Sequence, residues 1–123
     1  MPSFGTKSKE CLATLHPDLQ KVLNEAIKHI DFSIIWGHRG EQAQNRAYRD
    51  GYSKVQWPNS RHNTQPSEAF DIVPYPGGFN NPDEAFYLVA THVFRAAAVC
   101  GVRLDWGGHW RTFKDLAHFE LER

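Results

Sequence analysis

Neither sign of charge is in surplus in this chain of 123 residues: 14 Lys and Arg stand against 14 Asp and Glu. That balance excludes the basic stripe by which proteins hold nucleic acid or an anionic membrane surface. No apolar run approaches the length of a membrane span, and residues 1–7 lack the apolar core of a signal peptide. The expectation is a protein made in the cytoplasm, with no stable membrane association and no address of its own. Cysteine is scarce: Cys11 and Cys100, one near the start and one at the end of a predicted helix, read as two reduced thiols. There is no repeat, low-complexity tract or linker. At this length, with 41% apolar residues, a single domain over residues 1–123 with a real core is expected. A small neutral domain with no surplus apolar stripe is expected to be a monomer.

What is present alternates between helix and strand patterns. Leu19, Val22, Leu23, Ala26, Ile27 and Ile30 recur at helical spacing behind Pro17, which predicts an amphipathic helix over residues 17–30. Residues 32–36 are a β-rich run ended by Gly37. Helix formers dominate residues 41–50, with Gly51 as a stop. Residues 52–68 read as irregular, carrying Pro58, Asn59, Asn63 and Pro66. Residues 70–73 form a short strand candidate closed by Pro74. Pro82 then opens a second long helix whose buried stripe is Phe86, Val89, Ala90, Val93, Phe94 and Ala97, with Gly101 as its stop. Strand candidates over 102–106 and 117–121 complete the chain. The pattern is that of an α+β fold, a small antiparallel sheet packed against helices.

The seven histidines carry the chemical interest. His62 and Asp71 bracket a loop, and His118 sits in the terminal strand candidate, where successive side chains alternate between faces. If these strands are neighbours, two imidazole nitrogens and one carboxylate oxygen can converge on a metal ion. That borderline-soft set with one hard ligand suits Zn²⁺ better than Mg²⁺ or Ca²⁺ and leaves a fourth position open. Asp115, three residues before His118, can serve as a general base if the chain turns between them. Arg39, just after the first strand, is a fixed cation able to hold a carbonyl or carboxylate. Each residue also has a plainer reading. A lone histidine near a strand is more often a hydrogen-bonded structural group, Asp71 can cap a turn, Asp115 can be a solvated loop charge and Arg39 a helix-start residue. No compact signature such as H-E-x-x-H is present. From the residues alone a metal site is favoured and the reaction stays open.

The ordered set of motifs narrows it. Gly37-His38-Arg39, Ser60-Arg61-His62, Ala69-Phe70-Asp71, Trp106-Gly107-Gly108 and Asp115-Leu116-Ala117-His118-Phe119-Glu120-Leu121 together resemble the zinc peptidases that cut peptidoglycan stem peptides. These include the D-Ala-D-Ala carboxypeptidases and the phage endolysins that act as L-alanyl-D-glutamate endopeptidases. The resemblance runs from about Lys7 to the C-terminus. It implies one zinc ion held by His62, Asp71 and His118, with Asp115 as catalytic base and Arg39 in substrate and transition-state binding. Ser60 and His109 are further candidates for substrate contact. Short length points to the phage endolysins, hence to an enzyme of host lysis that reaches the cell wall after release from the producing cell.

The chain departs from the family pattern in three places. The loop between His62 and Asp71 is two residues longer, with Ser67 where a glycine is usual; the ligand pair is expected to survive this. His109 stands where the family's Trp-Gly-Gly-Asp-Trp has aspartate, and Gly40 where serine or threonine often follows the arginine. Two rivals come from other classes. A histidine-rich metal nuclease, prompted by Arg61-His62-Asn63, conflicts with the zero net charge. A zinc-binding wall-recognition module without catalysis conflicts with the retention of Asp115.

Overall fold

The computed structural model describes residues 2–122. Its elements are α1 (Thr6–Leu12), α2 (Pro17–Ala26), β1 (Phe32–Trp36), α3 (Glu41–Arg49), β2 (Ala69–Pro74), α4 (Asp83–Cys100), β3 (Leu104–Trp106) and β4 (His118–Leu121). Single 3₁₀ turns occur at Arg61–Asn63, Gly78–Asn80 and Gly107–His109. The four strands form one antiparallel sheet in the order β1-β2-β4-β3. Fold class agrees with the sequence reading, and so does the order of elements from α2 onward.

Period-2 alternation divides the sheet between two tasks. Phe70 and Ile72 of β2, Phe119 of β4, and Phe32 and Ile34 of β1 enter the main core. There they meet Leu19, Val22, Leu23 and Ala26 of α2, and Val89, Ala90, Val93, Ala96 and Ala97 of α4. The stripe read from the sequence is therefore the face that packs. Leu23 is wholly buried, and truncation to alanine there costs about 2–5 kcal/mol. The intervening positions, Asp71 of β2 with His118 and Glu120 of β4, lie on the opposite face. Because Asp71 pairs directly with His118 in the β2–β4 register, a slip of one residue in either strand would turn its polar group into the core.

The helix ends follow local chemistry. His16 Nδ1 accepts the N–H of Asp18 at 3.1 Å, and Pro17 needs no donor at the first turn. α2 ends at Ala26, earlier than residue 30, because the ladder tightens: Lys28 N–H donates to Glu25 and His29 N–H to Ala26, three residues back. α4 begins with Asp83 and Glu84 on its positive end and stops at Gly101, whose φ of 71° is left-handed. α1 has no counterpart in the sequence reading, since Thr-Lys-Ser-Lys-Glu-Cys-Leu carries no apolar stripe. It forms against β1, where the buried Ser8 hydroxyl accepts the Ile34 N–H at 3.0 Å and covers the edge of the sheet. Cys11 and Cys100 are both free thiols. Among the described residues no helix is long and apolar enough to cross a membrane.

Candidate active site

His62 is carried on the 3₁₀ turn that leads to β2. Ser60 caps that turn: its hydroxyl accepts the His62 N–H at 3.1 Å, while Asn63 Oδ1 accepts the Ser60 N–H at 2.9 Å. The two-residue-longer loop closes on itself through the Thr64 hydroxyl, which accepts from Glu68 N–H at 3.1 Å. Ser67 is fully buried, its hydroxyl donating to the Ala69 carbonyl at 2.7 Å. The loop thus differs from the family pattern while the His62–Asp71 pair stays intact.

His62, Asp71 and His118 converge. Asp71 Oδ1 lies 3.2 Å from His62 Nε2 and 3.0 Å from His118 Nδ1. One ligand atom from each residue falls within 4.8 Å of the others, and all three residues are buried. The outer nitrogens are engaged as well. His62 Nδ1 is 2.8 Å from the Gly37 carbonyl oxygen, and His118 Nε2 is 2.7 Å from Glu120 Oε1. A carbonyl oxygen and a carboxylate can only accept, so each outer nitrogen carries its proton and each inner nitrogen keeps its lone pair available to a metal ion. With protons alone, satisfying the inner contacts would require two imidazolium rings beside one aspartate. A divalent cation in place of the two inner protons satisfies the same atoms with neutral rings. The donor set therefore fits a metal ion, and two nitrogens with one carboxylate oxygen match a borderline-soft one.

Electrostatics follow the same geometry. Burial opposes ionisation of Asp71, but the imidazoles of His62 and His118 outweigh it and hold the carboxyl far below the usual carboxylate range. Burial likewise opposes charge on His118, yet the Asp71 and Glu120 carboxylates raise it to about 9. Burial opposes ionisation of Glu120, but its bond to His118 and the charges of His118, Arg61 and His62 together outweigh it and lower the carboxyl. Asp115 moves the other way: burial and the charge of Asp71 raise it.

Asp115 is brought to the site by two local devices. The chain turns between it and His118, with the Asp115 carbonyl accepting the His118 N–H at 3.2 Å and Oδ1 accepting the Ala117 N–H at 3.2 Å. Gly107 permits the approach from the other side. Its carbonyl accepts the Asp115 N–H at 3.1 Å, and a β-carbon on Gly107 would run into the Asp115 carbonyl oxygen.

Arg39 is buried beneath the site. Its guanidinium lies 4.7 Å over the Trp36 ring, donates to Gln44 Oε1 at 3.1 Å and reaches Asp71 Oδ2 at 3.4 Å. Its Nε has no hydrogen-bond partner among the described residues. Gln44 and Asn63 secure it: Asn63 Nδ2 donates to the Arg39 carbonyl at 2.9 Å, and Gln44 Nε2 to Val55 O at 2.7 Å.

The structure does not bring His109 to the site. The Gly107–His109 turn sends its ring onto Phe94, at a centroid distance of 5.7 Å, and edge-on to Trp106 at 5.0 Å. There it lines a separate groove against α4. Ser60 borders the site cavity, with its hydroxyl committed to the cap. Glu120, Gln44 and Trp110, whose ring sits 5.2 Å from that of His118, were not among the residues singled out from the sequence. Only Glu120 had a signal there, since a residue two beyond His118 in a strand shares its face.

Three comparisons bear on this arrangement. The phage L-alanyl-D-glutamate peptidase family matches residues 2–122. The L-alanyl-D-glutamate peptidase of Escherichia phage T5 is 36% identical over 127 residues, covering 98% of this chain and 89% of that protein. The crystal structure of the Serratia marcescens L-Ala D-Glu endopeptidase ChiX superposes with a TM-score of 0.82 at 35% identity, over 97% of this chain and 89% of that one. With the match running from one end of the described residues to the other, the chain belongs to the phage L-alanyl-D-glutamate peptidase family.

Proposed function

We propose that this chain is a zinc peptidase, a single domain over residues 1–123, that hydrolyses the L-alanyl-D-glutamate amide of peptidoglycan stem peptides as a phage endolysin. It works as a monomer, made in the cytoplasm of the producing cell and reaching the wall after release. The observation that supports the reading best is the double engagement of both histidines: each outer nitrogen is tied to an acceptor, and each inner nitrogen faces Asp71.

His62, His118 and Asp71 would hold the zinc ion, through the inner nitrogens and the carboxylate that face one another. When bound, zinc supplies Lewis acidity, polarising a carbonyl and making water acidic enough to attack near neutral pH. Asp115 takes the proton from the attacking water and returns it to the leaving amine of D-glutamate, a role its raised pKa favours. Arg39 lines the site cavity with its guanidinium, and it binds the carbonyl oxygen as negative charge develops there. Trp110, over His118, shields the reacting groups from bulk solvent. Ser60 acts through His62 by fixing the turn that presents it.

The test is product analysis on purified cell wall, wild type beside Asp115→Ala. Release of new N-terminal D-glutamate by wild type alone is expected. Release of free D-alanine would instead make the enzyme a D-Ala-D-Ala carboxypeptidase. Wall binding without release by either protein would make it a recognition module.

A further inference from the structure

Two cavities open on the site face of the sheet, of about 540 and 660 Å³, and they share Arg39, Asp71 and Asp115 at their junction. Tyr52 and Phe113 also line both. Phe113 is the one non-glycine residue with positive φ among the described residues, at 48°, a backbone conformation that a bulky side chain rarely adopts. It is held there with Lys54 Nζ 4.8 Å from its ring centroid. The reacting groups thus lie beneath an aromatic ridge between two compartments.

The compartments differ in chemistry. The first holds the exposed cations Lys54 and Arg111, which have no carboxylate partner among the described residues. Its third peripheral cation, Arg61, is already neutralised by Glu68 and Glu120. The second is walled by Ile35, Trp36, Ala43 and Phe79. Its Lys114 is turned onto the carbonyls of Gly108 and Trp110, and its Arg46, with no ion pair among the described residues, stands in the lining with Asp50. Phe79 is 69% exposed, an aromatic face open to a ligand.

The two halves of the substrate differ in the same sense, on the reading of function given above. The acyl half is L-alanine amide-linked to the lactyl group of an amino sugar, uncharged and rich in methyl groups. The amine half is D-glutamate with a free α-carboxylate, continuing to a diamino acid with further carboxylate. An anionic half gains from unpaired cations, and a sugar with methyl groups gains from aromatic walls. We propose that the substrate crosses the Phe113 ridge in one direction, with the D-glutamyl half beside Lys54 and Arg111 and the muramoyl-L-alanyl half against Trp36 and Phe79.

Steady-state kinetics of the zinc-loaded full chain on three soluble substrates tests this: a muramoyl peptide, the same peptide without sugar, and the muramoyl peptide with the D-glutamate α-carboxylate amidated. Amidation is expected to raise KM for wild type by roughly threefold to tenfold, in line with one or two exposed ion pairs. The Lys54→Gln/Arg111→Gln variant should show that rise already on the carboxylate substrate and be indifferent to amidation, while still sensing the sugar. Phe79→Ala should do the converse. Persistence of the amidation effect in the double variant, loss of the sugar effect there, or no amidation effect in wild type would overturn the orientation while leaving the function standing. Failure of wild type to cut the L-Ala–D-Glu bond in any of the three would remove the function and the orientation together.

Discussion

His118 and Glu120 stand two apart on β4 with their side chains on one face of the sheet, Nε2 of the imidazole 2.7 Å from Oε1 of the carboxylate. Glu120 in turn sits 3.7 Å from Arg61, which also holds Glu68 and donates to the Leu121 carbonyl. A carboxylate on the outer nitrogen fixes the tautomer of a ligating histidine and raises its basicity. Glu120→Gln keeps a polar group of the same shape and removes the charge. Zinc affinity, measured by competition with a chromogenic chelator, should fall about 10–100-fold. An unchanged affinity would mean that the His118 orientation is set by packing alone.

Metal removal should destabilise the protein, and by an amount that depends on pH. His118 is raised from 6.5 to about 9 in the metal-free fold. Its protonation therefore stabilises that fold fully below pH 6.5 and ceases to as pH rises through about 9. On the proposed zinc reading the ion must displace that proton, so its affinity should climb about tenfold per pH unit in this range. The gap in Tm between zinc-loaded and EDTA-treated protein should widen from pH 6 to pH 8, read by thermal denaturation. Equal Tm values at pH 8 would count against a tight metal site.

Asp115→Asn should separate catalysis from stability. Turnover should drop by roughly 10²–10⁴ with zinc retained, the usual worth of a general acid–base. The raised carboxyl stabilises the fold only while protonated, a contribution present at acid pH and lost as pH rises from 3.8 through the higher folded value. At neutral pH the ionised group is therefore a burden on the metal-free protein. The variant should melt higher than wild type at pH 7 and show no such gain at pH 3. If the variant fails to retain zinc, Asp115 is a ligand and Asp71 needs a new role.

Gly107→Ala tests how closely Asp115 is positioned. The added methyl would meet the Asp115 carbonyl oxygen and lie 3.0 Å from its β-carbon, so the base must shift. Displacement by about 1 Å can cost 10²-fold in rate, and a fall of that order in kcat with zinc content unchanged is expected. Full activity would show that the turn is softer than its hydrogen bonds suggest.

Arg39→Lys keeps the charge but not the planar fork that reaches both Gln44 and Asp71 at the edge of the cavity. A loss of about 10²–10³ in kcat is expected, the scale of one transition-state donor, with a smaller change in KM. A rise in KM alone would assign Arg39 to ground-state binding.

Much of this was legible in the chain itself. The stripes of α2 and α4 repeat at helical spacing, so each buried face was readable from its own residues. β1 was legible from its β-rich run and the stop at Gly37. The candidate ligand types, their order and the carboxylate three before His118 were legible because residue chemistry is a local property. α1 was not, since Ser8 earns its place only by capping the Ile34 N–H, a contact across 26 residues. His109 read as a site residue from its neighbours in sequence, but the turn at Gly107–His109 delivers its ring to Phe94 instead.

By itself the sequence determined every helix and strand except α1 and which side chains are available for chemistry, because propensity, periodicity and ligand type act over a few residues. The tertiary structure alone decided which of them meet. Asp71 and His118 are 47 residues apart and face each other only through the β2–β4 register. That register is chosen by the burial of Phe70 against Phe119, 5.2 Å apart on the opposite face. The same long-range packing placed Glu120 behind His118, Gly107 beneath Asp115 and the Phe113 ridge between two unlike cavities, relations that no window of sequence contains.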